Sequence, residues 1–460
     1  MAVDRRVRAL PGTLLLIALV VAIAGSLGSP LITSVATTLH VSLAAAQWTL
    51  TVTLLTGAVA TPVLGRLGTG TRRRPVFLGT LGVVVVGSAL AVLPLPFGVL
   101  LVGRAAVGCG LAMVPLLMAA AREHLDKDRA ASTIAMVSVA STVGVGVGYP
   151  LAGYLTDVGG IRAAYAVGLV LTAAAFVAAV RSFPDSAQPA APAPDAIASA
   201  LLVAGLIVLL LILGEPALLQ RHLGVAGALA LIALVLLAGW VWRERALADP
   251  LVNLRLLRHR AVAGANAAML VAGAGMYLLL SCITRYVQTP HSAGYGFGLS
   301  TFTAGLFLVP FSVLGFIAGR ISPRVRTRLS SHALLIISTA VVLAAFVVFA
   351  MVRGNLAGPL VAMSLLGFGV GAFSAAMPAV ILDVTPAQET ASAMGVNQVV
   401  RSIGFSVGST LSALILAAYT AGGAVFPSSQ GYATAAWIGV AVTALALVIA
   451  ATSRARPARR

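Results

Sequence analysis

Two arginines, Arg104 and Arg401, stand inside long apolar runs, where no bulk water is at hand to solvate a guanidinium. A charge in such a place is costly unless it faces a polar cavity or a partner, so each marks a candidate polar site. Asn397 precedes Arg401 by four residues and shares its helical face, which predicts a polar pair bordering a cavity. For Arg104 the plainer alternative is an interhelical clamp on backbone carbonyls. Proton carriage in such surroundings is normally the work of Asp, Glu or His. The twelve acids are Asp4, Glu123, Asp126, Asp128, Asp157, Asp185, Asp195, Glu215, Glu244, Asp249, Asp383 and Glu389, and none falls near the centre of an apolar run. The six histidines also lie near run ends or in gaps. Asp157 is the best proton-carrying candidate, set against the plainer reading of a helix-end carboxylate. Cys109 and Cys282 lie inside apolar runs, and no Cys/His cluster has ligand spacing. No disulfide framework, metal, cofactor or catalytic group is therefore expected.

The elements that hold these residues follow from composition. Hydrophobic residues make up 60% of the 460, charged residues 9%, and the mean hydropathy is +1.03. A soluble domain carries roughly 25% charged residues, so this chain lacks a water-facing shell and the bilayer must be its solvent. A spanning helix needs about 20 mostly apolar residues. That rule gives fourteen runs, near 12–36, 47–65, 75–96, 99–121, 131–155, 162–181, 196–214, 223–242, 261–284, 299–320, 333–353, 357–382, 391–420 and 430–452. The first run follows Asp4-Arg5-Arg6-Val7-Arg8 and is too long for a signal-peptide core, so it reads as a spanning helix.

The net charge of +18 could suggest nucleic acid, but its placement argues against that partner. Of 30 basic residues, 24 lie at the termini and in the even-numbered gaps, and 4 in the odd-numbered gaps. That asymmetry predicts an even number of spans with both termini cytoplasmic. Three blocks repeat in the same order. Gly65-Arg66-Leu67 with Arg72 and Arg74 matches Gly319-Arg320-Ile321 with Arg326 and Arg328, at an offset of 254. Gly108 and Pro115 match Gly371 and Pro378 at 263, and Ala131-Ser132, Gly144 and Gly148 match Ala391-Ser392, Gly404 and Gly408 at 260. Two related halves around a central site are the architecture of secondary transporters. The expected organisation is an all-α integral membrane protein with a six-helix bundle over 1–183 and a Pro/Ala-rich cytoplasmic linker over 184–195. An inserted helix pair over 196–245, a second six-helix bundle over 246–453 and a basic tail over 454–460 follow.

Several motifs resemble the major facilitator superfamily, specifically its fourteen-helix drug:proton antiporter branch. Gly65-Arg66-Leu67-Gly68-Thr69-Gly70-Thr71-Arg72-Arg73-Arg74 resembles the loop between the second and third helices, which in the family latches the cytoplasmic gate through charge. Thr69 stands where the family has an aspartate, and Glu123 and Asp126 are the available acidic partners. The plainer reading is that these arginines only mark the cytoplasmic side. Arg104 followed by Gly108 and Gly110 resembles the fourth-helix motif, whose arginine the family links to proton transfer. Gly144, Gly148, Pro150 and Gly153 resemble the fifth-helix antiporter motif, with Tyr149 in place of its proline and Ala152 in place of a glycine. Small residues four apart let helices approach closely, so plain packing explains the spacing equally well. Ala46-Gln47-Trp48, Tyr286-Val287-Gln288 with Pro310, and Asn397-Gln398 with Arg401 resemble further stretches of the branch. The family's first-helix aspartate has no counterpart in the stretch 24–32.

The resemblance implies a monomeric, multi-pass carrier of the bacterial cytoplasmic membrane that exports a small organic molecule by alternating access, coupled to protons. Gln47, Trp48, Tyr149, Tyr154, Asn266, Tyr277 and Gln398 are candidate walls of its binding site, although for each aromatic ordinary packing or an interfacial belt is the plainer account. Two arginines and no central acid would suit neutral or anionic substrates. A facilitative carrier or importer of the same fold is the alternative. A membrane enzyme is disfavoured, because the short gaps offer no cluster of acids, histidines or metal ligands.

Overall fold

A computed structural model describes residues 2–28, 31–421 and 426–452. The expected basic tail over 454–460, together with Ser29 and Pro30 of the first-helix stretch, lies outside them. Among the described residues, thirteen helices are long and apolar enough to cross a membrane. One of them, Lys127–Ser182, is two spans in series. Gly159 and Gly160 leave helical geometry there, Gly160 at a φ of +69° that disfavours any residue with a Cβ. That break restores the expected fourteen.

The spans are α1 (Ala2–Ser26), α2 (Leu43–Leu67), α3 (Arg73–Val92) and α4, which runs as Phe97–Leu111 and Val114–His124. Then come α5 (127–158), α6 (161–182), α7 (Ala196–Gly214), α8 (Leu223–Ala246) and α9 (Arg260–Gln288). The series closes with α10 (Thr301–Leu306 and Leu308–Val325), α11 (Ser331–Val352), α12 (Ala357–Leu382), α13 (Thr390–Ala418) and α14 (Ser429–Thr452). The first apolar run, expected to be continuous over 12–36, instead stops at Ser26 and resumes as a short helix, Ile32–Thr38.

The chain forms two compact units. One comprises Met1–Ile207, Val235–Asn253 and Thr385–Val399; the other comprises Val208–Leu234, Leu254–Val384 and Val400–Arg460. These units cut through α7, α8 and α13.

Within the first unit, α5 lies along α1. A Cβ at Gly144 would stand 2.6 Å from Ala22 and 3.1 Å from the Leu19 carbonyl. Gly108 of α4 sits equally close against α2 at Thr53. In the second unit the repeat partners do the same work. Gly404 of α13 abuts the Leu270 carbonyl of α9, Gly408 abuts Ala274, and Gly371 of α12 abuts Gly315 of α10. Residues matched by sequence offset are therefore the ones that let equivalent helices touch backbone to backbone. A bilayer supplies no hydrophobic drive between helices, so such contact is a main source of cohesion.

Candidate functional site

Two polar clusters stand out in the first unit. The inner one is built around Arg104, whose side chain is 1% exposed. Ending α1 at Ser26 leaves its last carbonyls without partners in their own helix. Arg104 supplies them: Nη1 donates to the Ala24 carbonyl at 2.9 Å and Nη2 to the Gly25 carbonyl at 2.8 Å. Nε donates to the Thr49 carbonyl of α2 at 3.2 Å, and the Thr53 hydroxyl returns a bond to the Arg104 carbonyl at 3.0 Å. The positive charge also sits at the negative end of the α1 dipole. On its other side the guanidinium lies 5.7 Å from the Tyr165 ring centroid. Arg104 and Tyr165 share a small cavity with Ser88 and Gly168, and the Tyr165 hydroxyl has no hydrogen-bond partner. Gly28 makes room for the arrangement, since a Cβ there would stand 2.8 Å from Nη2. No carboxylate takes part in any of these bonds, so the geometry is that of a clamp joining α1, α2 and α4.

The second cluster lies at the end that the arginine pattern makes cytoplasmic. Gly70–Arg72 forms a single 3-10 turn after α2, with Gly70 at a φ of +51° against the backbone of Pro189. The Pro/Ala-rich linker is docked on this turn. Thr71 N–H donates to the Gln188 carbonyl at 3.0 Å, and Ala191 N–H donates to the Thr69 hydroxyl oxygen at 3.1 Å. Arg72 bonds the Ala191 carbonyl, and Arg74 pairs with Asp185 at 3.1 Å. Arg73 is ion-paired with Glu123, whose other oxygen accepts from the Ser186 hydroxyl at 2.5 Å. Asp126 instead accepts from Arg129 N–H at 3.0 Å, as the N-cap of α5. Thr69, in the place of an acid, thus acts as a buckle for the linker.

The same face carries the start of α13. Arg122, at the end of α4, donates to the Thr385 carbonyl at 2.7 Å and the Thr390 hydroxyl at 3.0 Å. A Cβ at Gly65 would stand 3.3 Å from the Ala391 carbonyl, and the Ser392 hydroxyl donates to the Leu251 carbonyl at 3.4 Å. Arg66 reaches Asp249 at 3.8 Å. Gly68 packs under Leu116, whose methyl a Cβ there would meet at 2.5 Å.

The remaining candidates are scattered. Asp157 is exposed, two residues before the break between α5 and α6. Gly148 faces Ser26 of α1, Gly153 is buried, and Pro150 lies inside the continuous helix. Gln47, Trp48 and Tyr154 are exposed, whereas Tyr149, Asn266 and Gln398 are half-buried. Asn397 and Arg401 are both buried on one face of α13. Within the second unit, Arg401 lies 5.9 Å from the Phe405 ring, which in turn tilts against Tyr277 at 5.5 Å. Sequence reasoning passed over Tyr165, Arg122 and Glu244. Arg122 and Glu244 were two among several charges in short gaps, and Tyr165 had no polar neighbour in sequence to flag it.

The model of the Major Facilitator Superfamily matches residues 14–409. The chain belongs to that superfamily. The transporter is 28% identical over 376 residues to the drug efflux pump JefA of Mycobacterium tuberculosis, covering 78% of this chain and 70% of that one. It is 26% identical over 329 residues to the uridine/deoxyuridine transporter of Lactococcus lactis subsp. cremoris, covering 66% and 68%. The crystal structure of the human organic anion transporter MFSD10 (TETRAN) superposes with a TM-score of 0.67 at 15% identity, over 96% of this chain and 99% of that one. At that identity the likeness concerns the fold alone. The protein is accordingly a multi-pass membrane transporter of the major facilitator fold.

Proposed function

We propose that the transporter exports small organic molecules, drugs or natural products, by alternating access, driven by proton influx. The observation that carries this reading is the similarity to the efflux pump JefA over most of the chain. The close seating of Gly144 and Gly148 on α1 agrees with it, as the stretch that resembles an antiporter motif. Binding would take place near the midplane, with Gln47, Trp48, Tyr149, Tyr154, Asn266, Tyr277, Asn397 and Gln398 as wall candidates. Arg401 is buried in α13 with no acid near the centre of any described span, and this favours neutral or anionic substrates over cations.

A second reading, a facilitative carrier or importer, is favoured by the same lack of a central acid and by the similarity to a nucleoside transporter. Inverted vesicles from an efflux-deficient bacterium separate the two. A lipophilic anionic dye and a cationic one are supplied outside, with and without a protonophore. Export coupled to protons predicts accumulation of the anionic dye that collapses with the protonophore. Movement only down the dye gradient, indifferent to the protonophore, supports the second reading, and competition by cations alone removes the substrate preference.

A further inference from the structure

Glu244, on the last turn of α8, is 2% exposed. One carboxylate oxygen accepts from Val252 N–H at 2.6 Å, while the other makes no well-formed hydrogen bond, its nearest donors being the Leu251 N–H and the Trp240 indole N–H. That indole, one turn earlier, is likewise buried and short of a well-formed bond, so it faces the carboxylate without fully satisfying it. Arg66 lies close enough for its charge to act on this carboxylate, and its own Nε and Nη2 are buried without hydrogen bonds. The other charges around the site are few. Asp249, well exposed, stands 3.8 Å from Arg66, Arg243 is held 2.9 Å from Asp195 of α7, and Arg245 points to the surface.

A buried carboxylate with one oxygen only weakly engaged is costly while charged. Two arrangements relieve that cost. Arg66 can be drawn fully onto Glu244, or Glu244 can take a proton and leave Arg66 to Asp249. A buried acid and a neighbouring base that both keep bonding capacity in reserve have two ways to relieve the charge, which is what a switch needs.

The carboxylate also holds the segment that follows α8. Its bond to Val252 N–H fixes Leu251, which is 1% exposed and whose carbonyl receives the Ser392 hydroxyl from the start of α13. A neutral acid accepts an N–H bond more weakly than a carboxylate does. Loading the proton would therefore slacken the hold on Leu251 as well as the pull on Arg66.

We propose that Glu244 is a proton-binding site at the cytoplasmic end of the inserted helix pair, and that its protonation releases the start of α13 from α2 and from the 247–253 segment. This gives the inserted pair a task, and it rests on the reading of the chain as a carrier with a cytoplasmic gate. It does not depend on the substrate or on the direction of transport.

The test uses the full chain in proteoliposomes, with Cys109→Ala and Cys282→Ala as background and Ala391→Cys as reporter. Labelling by a water-soluble maleimide is followed from about pH 8 to about pH 5, a window that spans the range open to a buried glutamate. Rates are normalised to detergent-unfolded protein at each pH. Labelling is expected to rise several-fold as the pH falls, and Glu244→Gln, which keeps an acceptor for Val252, is expected to label fast at every pH. Arg66→Gln supplies a second, independent variant, whose transition should move to higher pH. A pH-independent rate in the parent protein overturns the proposal. So does a parental profile retained in Glu244→Gln, or an unmoved transition in Arg66→Gln. Because labelling reads the gate itself, these results stand apart from the success or failure of the dye assay.

Discussion

Arg104 and Arg66 are both largely buried guanidinium groups in the first unit, yet their surroundings differ in kind. Arg104 spends three donors on three backbone carbonyls, at 2.8 to 3.2 Å, with no carboxylate in reach of those bonds. Arg66 has a carboxylate at 3.8 Å and another nearby, yet keeps two buried nitrogens unbonded. Carbonyls do not titrate, so nothing in ordinary pH alters what Arg104 binds. Carboxylates do, so the bonding of Arg66 can change with a proton. The comparison assigns fixed architecture to the helix junction and movable contacts to the cytoplasmic face.

The largest effect that would sharpen this contrast comes from Arg104→Leu. It strands the carbonyls of Ala24, Gly25 and Thr49, and each unbonded buried acceptor costs about 1–3 kcal/mol. Thermal unfolding of purified protein should fall by many degrees, whereas Arg66→Leu should move it far less and act on the gate. Equal losses would erase the distinction.

A smaller effect is expected at the loop after α2. Gly70→Ala puts a Cβ on a residue at φ +51° and into the backbone of Pro189, so the linker over 184–195 should lift from the turn. Limited proteolysis from the cytoplasmic side should cut the linker several-fold faster in the variant, with helix content unchanged. An unaltered rate would mean that the docking does not depend on this turn.

The smallest effect concerns the pair between α7 and α8. The hydrogen bond from Arg243, followed by that from Ala198 N–H, holds the Asp195 carboxyl below the usual carboxylate range. A group whose folded-state pKa is depressed stabilises above its unfolded value and loses that contribution as pH falls through the folded value. Acid unfolding should therefore show a slight loss that begins below about pH 4 and disappears in Asp195→Asn. Because the pair is half-exposed at the surface, the size should be that of a surface ion pair.

Much of this architecture was legible beforehand. Spans could be counted because a bilayer demands about 20 apolar residues, and the count held once the break at Gly159 and Gly160 was recognised. The repeat offsets were legible because backbone contact tolerates only small residues, which fixes Gly108 and Gly371, or Gly144 and Gly404, to the same task. The end of the first helix at Ser26 was signalled by Gly28 and Pro30 but missed, since apolar length alone takes no account of helix breakers. The docking of the linker was not legible, for its repeated prolines disfavour helix but say nothing of what its carbonyls and N–H groups meet. Glu244 was the hardest case. In sequence it is one charge between the arginines at the end of α8, and only the return of Leu251 and Val252 over the helix end buries it.

The most direct test of the contrast is the pH profile of dye transport in the parent protein, Arg104→Lys and Glu244→Gln. Arg104→Lys keeps the charge but cannot span three carbonyls, so it should lower the rate at every pH and leave the shape of the profile intact. Glu244→Gln should flatten the profile. A flattened profile in Arg104→Lys together with a parental one in Glu244→Gln would contradict the account, and would place the titrating step at the helix junction instead of the cytoplasmic face.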